Sequence, residues 1–207
     1  MIIRARHHPV IDPFFRRYCR RKTLRNFDQI VIDNKVEDKG LPILLIANHM
    51  SWWDGIWLNY LNARLFKRKF NFMMLEEQLR KHWYFQYIGG FSVNKGSRSV
   101  VETIKHAAEL LGDSENLVLM FPQGEIHSLY SDNFIFETGI EHILSRMDNP
   151  LHIVFVANMV DYLSRPKPGL YVYLEEYKGI KPTTRSLQEA YNLFYSGCLD
   201  KQKKLKE

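Results

Sequence analysis

Five short apolar runs constrain this chain more than anything else about it. They are Ile43–Ala47, Phe70–Leu75, Leu117–Phe121, Ile153–Ala157 and Leu170–Leu174, with stretches of helical character between most of them. Each is too short for an ordinary helix and too continuous for a strand with one wet face, so each reads as a strand buried on both sides. Ser97–Leu111 places Val100, Val101, Ile104, Ala107, Ala108 and Leu111 on one side, and Gly112 closes it. Further helices are expected over Glu76–Tyr84, Glu137–Met147 and Thr184–Leu199, with a short strand at Phe91–Val93. Phe27–Val36 reads as an edge or hairpin strand ahead of the Asp38-Lys39-Gly40 turn. Strands alternating with helices in this way predict an α/β fold: one domain with a largely parallel central sheet flanked by helices.

Composition excludes several alternatives. At 45% hydrophobic and 14% aromatic residues the chain is globular rather than disordered, and 207 residues suffice for a substantial core. No stretch approaches the roughly 20 apolar residues that span a bilayer, and no signal peptide is visible. Cys19 and Cys198 fit no metal or redox spacing, so free thiols in a reducing compartment are expected. The eight histidines are scattered without ligand spacing, and no metal site is expected.

The net charge of +6 is concentrated at the amino terminus, where residues 1–25 hold eight Arg and Lys against the single acid Asp12. Within that segment Ile11, Phe14, Phe15 and Tyr18 fall at helical spacing, and arginines 16, 17, 20 and 21 fill much of the remainder. A basic amphipathic helix of this kind suits an anionic membrane surface. It would equally suit packing on the core through its Phe face. Nucleic acid is not expected as a partner, since no nucleic-acid module follows. Residues 1–26 are therefore set apart as a membrane-facing segment and residues 27–207 as the main domain.

Three strand ends carry groups that could converge. After Ile43–Ala47 the chain continues Asn48-His49-Met50-Ser51-Trp52-Trp53-Asp54, with Ser51 placed to cap a helix through Ile56, Trp57, Tyr60 and Leu61. On one continuous helix His49 and Asp54 would lie about 140° apart. With His49 ahead of the helix, Asp54 can fold back to hold one ring nitrogen while the other takes a proton from a hydroxyl. The second strand end is Asn94-Lys95-Gly96 behind the pair Gly89-Gly90. The third is Phe121-Pro122-Gln123-Gly124-Glu125, where Gly124 permits a tight turn. A cation beside a base suits a substrate with a hydroxyl to deprotonate and an anionic group to bind.

The ordered set NHMSWWD, GGFSVNK and FPQGE, continued by Ser128, Phe136-Glu137-Thr138-Gly139 and Arg165-Pro166, resembles the lysophospholipid (1-acylglycerol-3-phosphate) acyltransferase family over residues 27–175. The resemblance implies transfer of a fatty acyl group from acyl-CoA or acyl-carrier protein to a lysolipid hydroxyl. His49 would be the general base and Asp54 its orienting partner. Lys95, Gln123, Gly124 and Glu125 would bind substrate, and no metal or bound cofactor would be needed. Trp52, Trp53 and Trp57 would border an acyl channel or serve as core aromatics. It also implies a peripheral protein on the cytoplasmic membrane face. A non-catalytic lipid- or acyl-binding protein of the same fold is the alternative. This chain departs from the family pattern with Lys95 for an arginine, Gln123 for a glutamate, and His127 nearest to a second arginine. An acceptor other than lysophosphatidic acid follows as an expectation: an aminolipid, a glycolipid or another alcohol.

Overall fold

The computed structural model describes residues 1–147 and 149–206. Seven strands form one sheet in the order β1-β7-β6-β2-β5-β3-β4. They are β1 (Gln29–Asn34), β2 (Ile43–Ala47), β3 (Lys69–Leu75), β4 (Gly90–Val93), β5 (Asn116–Met120), β6 (His152–Asp161) and β7 (Gly169–Glu176). Strands β2 to β6 run parallel, β7 returns antiparallel to β6, and β1 lies parallel to β7 at the edge. Every residue of β2 and β5 is buried, as the apolar runs at Ile43–Ala47 and from Leu117 predict, with Asn116 the one polar member.

Two helical layers cover the sheet. On one face α1 (Ile11–Asn26) and α2 (Asp54–Leu65) pack Cys19, Ile56, Trp57, Leu58 and Leu61 against Ile43, Leu45, Leu119 and Val154. On the other, α4 (Val100–Leu110), α5 (Gly139–Leu144) and α6 (Thr184–Lys203) bury Ile104, Ala107, Ile140, Leu187 and Tyr191 against Leu44, Ile46, Val118 and Phe155. The remaining helix, α3 (Glu76–Lys81), is followed by a 3-10 turn at Trp83–Tyr87.

Several boundaries differ from the sequence expectation. The helix predicted from Glu137 begins only at Gly139; ahead of it the Glu137 N–H donates to Pro122 O (2.8 Å) and the Phe136 N–H to Gln188 Oε1 (2.9 Å), which ties both residues to distant parts of the chain. Ser51 does not cap α2. That helix starts at Asp54 after Trp53, and the Ser51 hydroxyl instead accepts from Trp53 N–H (3.2 Å) in a local turn. Strand β6 runs four residues beyond Ala157, since the antiparallel partner β7 supplies a ladder out to Asp161↔Gly169.

The amino-terminal segment is stitched to the domain. Ile3, Arg6 and His8 exchange backbone hydrogen bonds with Ser92, Gln86, Gly89 and Tyr87, covering the β4 edge. Helix α1 then turns Asp12, Cys19 and Thr23 inward, with Phe15 packed against the core beside them. Burial alone would push the Asp12 carboxyl up. The His7 and Arg16 hydrogen bonds (2.9 Å each) outweigh it and hold the carboxyl down to about 2. Phe14 and Tyr18 of the predicted apolar face instead remain exposed.

Candidate active site

Strand β2 ends where its backbone leaves the sheet, and Asn48 makes that exit orderly. Its side-chain amide donates to Asn158 O (3.0 Å) and accepts from Asn158 N–H (2.8 Å). An amide side chain thus imitates one more rung of the β2–β6 ladder. The chain is released at a defined point, and His49 emerges at the carboxyl edge of the parallel strands.

His49 is then held from four directions. Its backbone N–H donates to Gln123 Oε1 (2.8 Å), and its carbonyl accepts from His127 N–H (2.8 Å). Its ring stacks on Phe121, with centroids 4.0 Å apart and planes 10° from parallel. Its Nδ1 lies 2.8 Å from Asp54 Oδ2. The same oxygen accepts from Met50 N–H (2.8 Å) and Ser51 N–H (2.9 Å), so the loop wraps around one carboxylate oxygen. Asp54 is completely buried at the amino end of α2, where the helix dipole favours its negative charge. A carboxylate accepts only, so Nδ1 carries the hydrogen and Nε2 is left with its lone pair.

His49 lines a cavity of about 910 Å³ at the carboxyl edge of the sheet. The opening exists because β3 parts from β5. Their register ends at Phe72↔Leu119, and Met73–Leu75 continue with β4 alone. The walls are mostly apolar. Phe15, Ile56, Phe70, Phe72 and Phe85 stand on the α1–α2 side, and Met73, Ile104, Ile140 and Ile143 on the other.

Lys95, Gly124 and Glu125 also line this cavity, so two further strand ends meet the first. Lys95 Nζ donates to Gly124 O (3.2 Å) and to Glu137 Oε1 (3.0 Å). Gly124 has φ of +72°, a backbone conformation that favours glycine, and a Cβ there would come within 2.5 Å of the Lys95 ammonium and displace it from this position. Gly89 is comparably constrained, since a Cβ would overlap Phe70 O. Gln123 stands apart from the expectation. It is buried, is not in the cavity wall, and spends its side-chain oxygen on the His49 backbone. The tryptophans divide: Trp52 lines the cavity, Trp53 sits under the Lys22 ammonium (4.8 Å), and Trp57 is core, edge-on to Phe27. Behind the site Tyr191 donates to Val156 O (2.8 Å), and burial pushes its phenol well above the ordinary range, keeping it a neutral donor.

Sequence reasoning had no role for Asn48, Phe121 or Glu137. Asn48 and Phe121 adjoin residues already singled out, and a polar residue closing a wholly apolar strand is a signal that points to the first. Nothing local marks Glu137 as the partner of a lysine 42 residues away.

A protein-family model described as Acyltransferase matches residues 23–158. A 1-acyl-sn-glycerol-3-phosphate acyltransferase of Streptococcus pneumoniae (strain ATCC BAA-255 / R6) is 26% identical over 98 residues, which are 46% of this chain and 36% of that relative. The crystal structure of the 1-acyl-sn-glycerophosphate (LPA) acyltransferase PlsC from Thermotoga maritima superposes with a TM-score of 0.63 at 16% identity. It covers 93% of this chain and 80% of the other, a likeness of fold. With the family match spanning β1 to β6 and both members of the His49–Asp54 pair, the chain belongs to the Acyltransferase family.

Proposed function

We propose that this protein transfers a fatty acyl group from a thioester donor, acyl-CoA or acyl-carrier protein, to the hydroxyl of a lysophospholipid or related lipid. The observation that carries this reading is His49, its Nδ1 tied to buried Asp54 at 2.8 Å, in the wall of a largely apolar cavity. In the reaction Nε2 takes the acceptor's hydroxyl proton as the oxygen attacks the thioester carbonyl. Asp54 stabilises the imidazolium that forms. The backbone amide of Gly55, in the cavity wall at the amino end of α2, supports the oxyanion, since the Asp54, Ile56 and Trp57 N–H groups beside it already donate to Ser51 O and Trp53 O. The intermediate collapses with cleavage of the C–S bond, and the imidazolium proton passes to the departing thiolate. The products are an ester and a free thiol.

Two substrates and these side chains complete the scheme, so we include no metal ion or bound cofactor. Activity should survive exhaustive dialysis against EDTA. Membrane contact is part of the proposal. Exposed Phe14 and Tyr18 stand on α1 among its arginines, Trp53 lies under Lys22 of that helix, and Trp52, Trp83 and Tyr84 are further exposed aromatics. No helix among the described residues is long and apolar enough to cross a membrane, so such contact would be at the surface. Phe14→Ser with Tyr18→Ser should weaken binding to anionic liposomes without unfolding the chain, and unchanged binding would remove this part of the reading.

The deciding experiment measures acyl transfer from labelled acyl-CoA and acyl-carrier protein to a panel of lysolipids and lipid alcohols, comparing wild type with His49→Ala. Product formation that depends on His49 supports the proposal. Lipid binding with wild type and variant equally inert would favour a binding protein of the same fold.

A further inference from the structure

The charge of the cavity wall bears on which acceptor enters it. Among the described residues lining the cavity, the ionisable ones are His49, Lys95, Glu125, Glu137 and His142. No arginine is present. Leaving the histidines aside, one cation faces two carboxylates, so the wall carries a net charge of about −1 before any substrate arrives.

The single cation is also engaged. Of the three donors on Lys95 Nζ, one goes to Gly124 O and another to the Glu137 carboxylate. Glu137 stands at the open rim of the cavity, its side chain 60% exposed and that of Lys95 50%, and is anchored through its backbone. Its backbone N–H is bonded to Pro122 O, and its side chain packs so closely over Gly124 that a Cβ there would meet Glu137 Oε1 at 3.2 Å. Glu125 is mostly exposed, and among the described residues its side chain bonds to His127 Nε2, at 3.2 Å. A phosphate monoester, with a charge of roughly −1.5 to −2 near neutral pH, wants two or more forked or clustered cations and a wall free of carboxylates. This cavity offers the opposite.

Building on the acyl-transfer reading, we infer that the acceptor is a lipid alcohol whose headgroup carries no net negative charge. The class covers a hydroxyl on an uncharged polyol or sugar headgroup and one on an amine-bearing headgroup. Both present hydrogen-bond donors to Glu125 and Glu137, and the amine adds a charge complementary to the wall. The carboxylates thus select acceptors by repelling a phosphate monoester as well as by bonding the preferred headgroup.

The test compares kcat/KM for lysophosphatidic acid, a monoacylglycerol, a glycosylated lipid alcohol and an amine-bearing hydroxylipid, all with one labelled acyl-CoA. His49-dependent release of free CoA is followed in parallel. The expected result is a preference of at least about tenfold for one or more of the three non-anionic acceptors over lysophosphatidic acid. In the double variant Glu125→Gln, Glu137→Gln that preference should shrink severalfold, mainly through a lower KM for lysophosphatidic acid. If wild type uses lysophosphatidic acid as well as or better than every other acceptor, or if the double variant leaves the ratio unchanged, the inference is overturned while acyl transfer stands. If no acceptor is used and no His49-dependent thiol release occurs with this donor or with acyl-carrier protein carrying the same acyl chain, both fail together.

Discussion

Replacing Asp54 by asparagine separates charge from geometry at this site. Asp54 Oδ2 accepts three N–H groups, and Oδ1 is buried with no partner among the described residues. An asparagine oxygen in the Oδ2 position can keep all three bonds, while its NH2 replaces an oxygen that had no donor. The loop around His49 should therefore hold, with a stability loss of no more than about 1–3 kcal/mol for the unpaired buried amide. What disappears is the negative charge facing the imidazolium. At roughly 4 Å and an effective dielectric constant near 20, that attraction is worth about 4 kcal/mol. At about 1.4 kcal/mol per decade, kcat should fall on the order of a thousandfold. KM should change little, because Asp54 is absent from the cavity wall. Steady-state acyl transfer with a thermal melt alongside measures both quantities. A variant that folds normally and keeps kcat within about fivefold of wild type would refute the assignment of Asp54 as the partner of a general base.

Other expectations can be checked on the same protein. Asn48→Ala should leave Asn158 N–H and C=O unpaired in the interior. It should lower stability by about 2–4 kcal/mol and reduce kcat, measured by urea unfolding and acyl transfer, and a neutral substitution would show that the strand exit is held by something else. Burial holds the imidazoles of His106 and His152 below their ordinary value of 6.5, the Arg4 charge adding to it at His106 and the Lys39 charge at His152. The unfolded chain then binds protons that the fold resists, so stability is present above about pH 6.5 and declines as pH falls below it. Melting temperature should drop between pH 7 and 5, and His152→Gln should flatten that drop; a profile level through this window would contradict the reasoning. Cys19 and Cys198 are pushed up to about 12, chiefly by burial. Both should resist alkylation at pH 8 until the chain unfolds, and rapid labelling of native protein would overturn this.

The separation between what local pattern reveals and what it hides follows from distance along the chain. The strands at Ile43, Leu117 and Ile153 were legible because a strand buried on both faces must be continuously apolar. The contact of His49 with Asp54 was legible because five residues on either side of a helix start leave the chain few ways to arrange them. Lys95, Gly124 and Glu125 were legible as strand-end groups, and a parallel sheet delivers all such ends to one edge. The helix at α5 was legible but its start was not, because long-range hydrogen bonds to Pro122 and Gln188 engage Glu137 and Phe136 just ahead of it.

The sequence by itself determined a parallel α/β sheet and the edge at which its polar groups would gather, since burial and periodicity act over a few residues. Only the tertiary structure decided how those groups are spent. Asn48 mates with Asn158 across 110 positions, Gln123 supports His49 across 74, and Glu137 meets Lys95 across 42. Hydrogen bonds and charges act over a few ångströms in space, so the field inside the cavity depends on which distant residues the crossovers bring together. The acceptor shows the division: Lys95, Gln123 and His127 in the sequence already pointed away from lysophosphatidic acid, and only the fold shows that this lysine is held by Glu137.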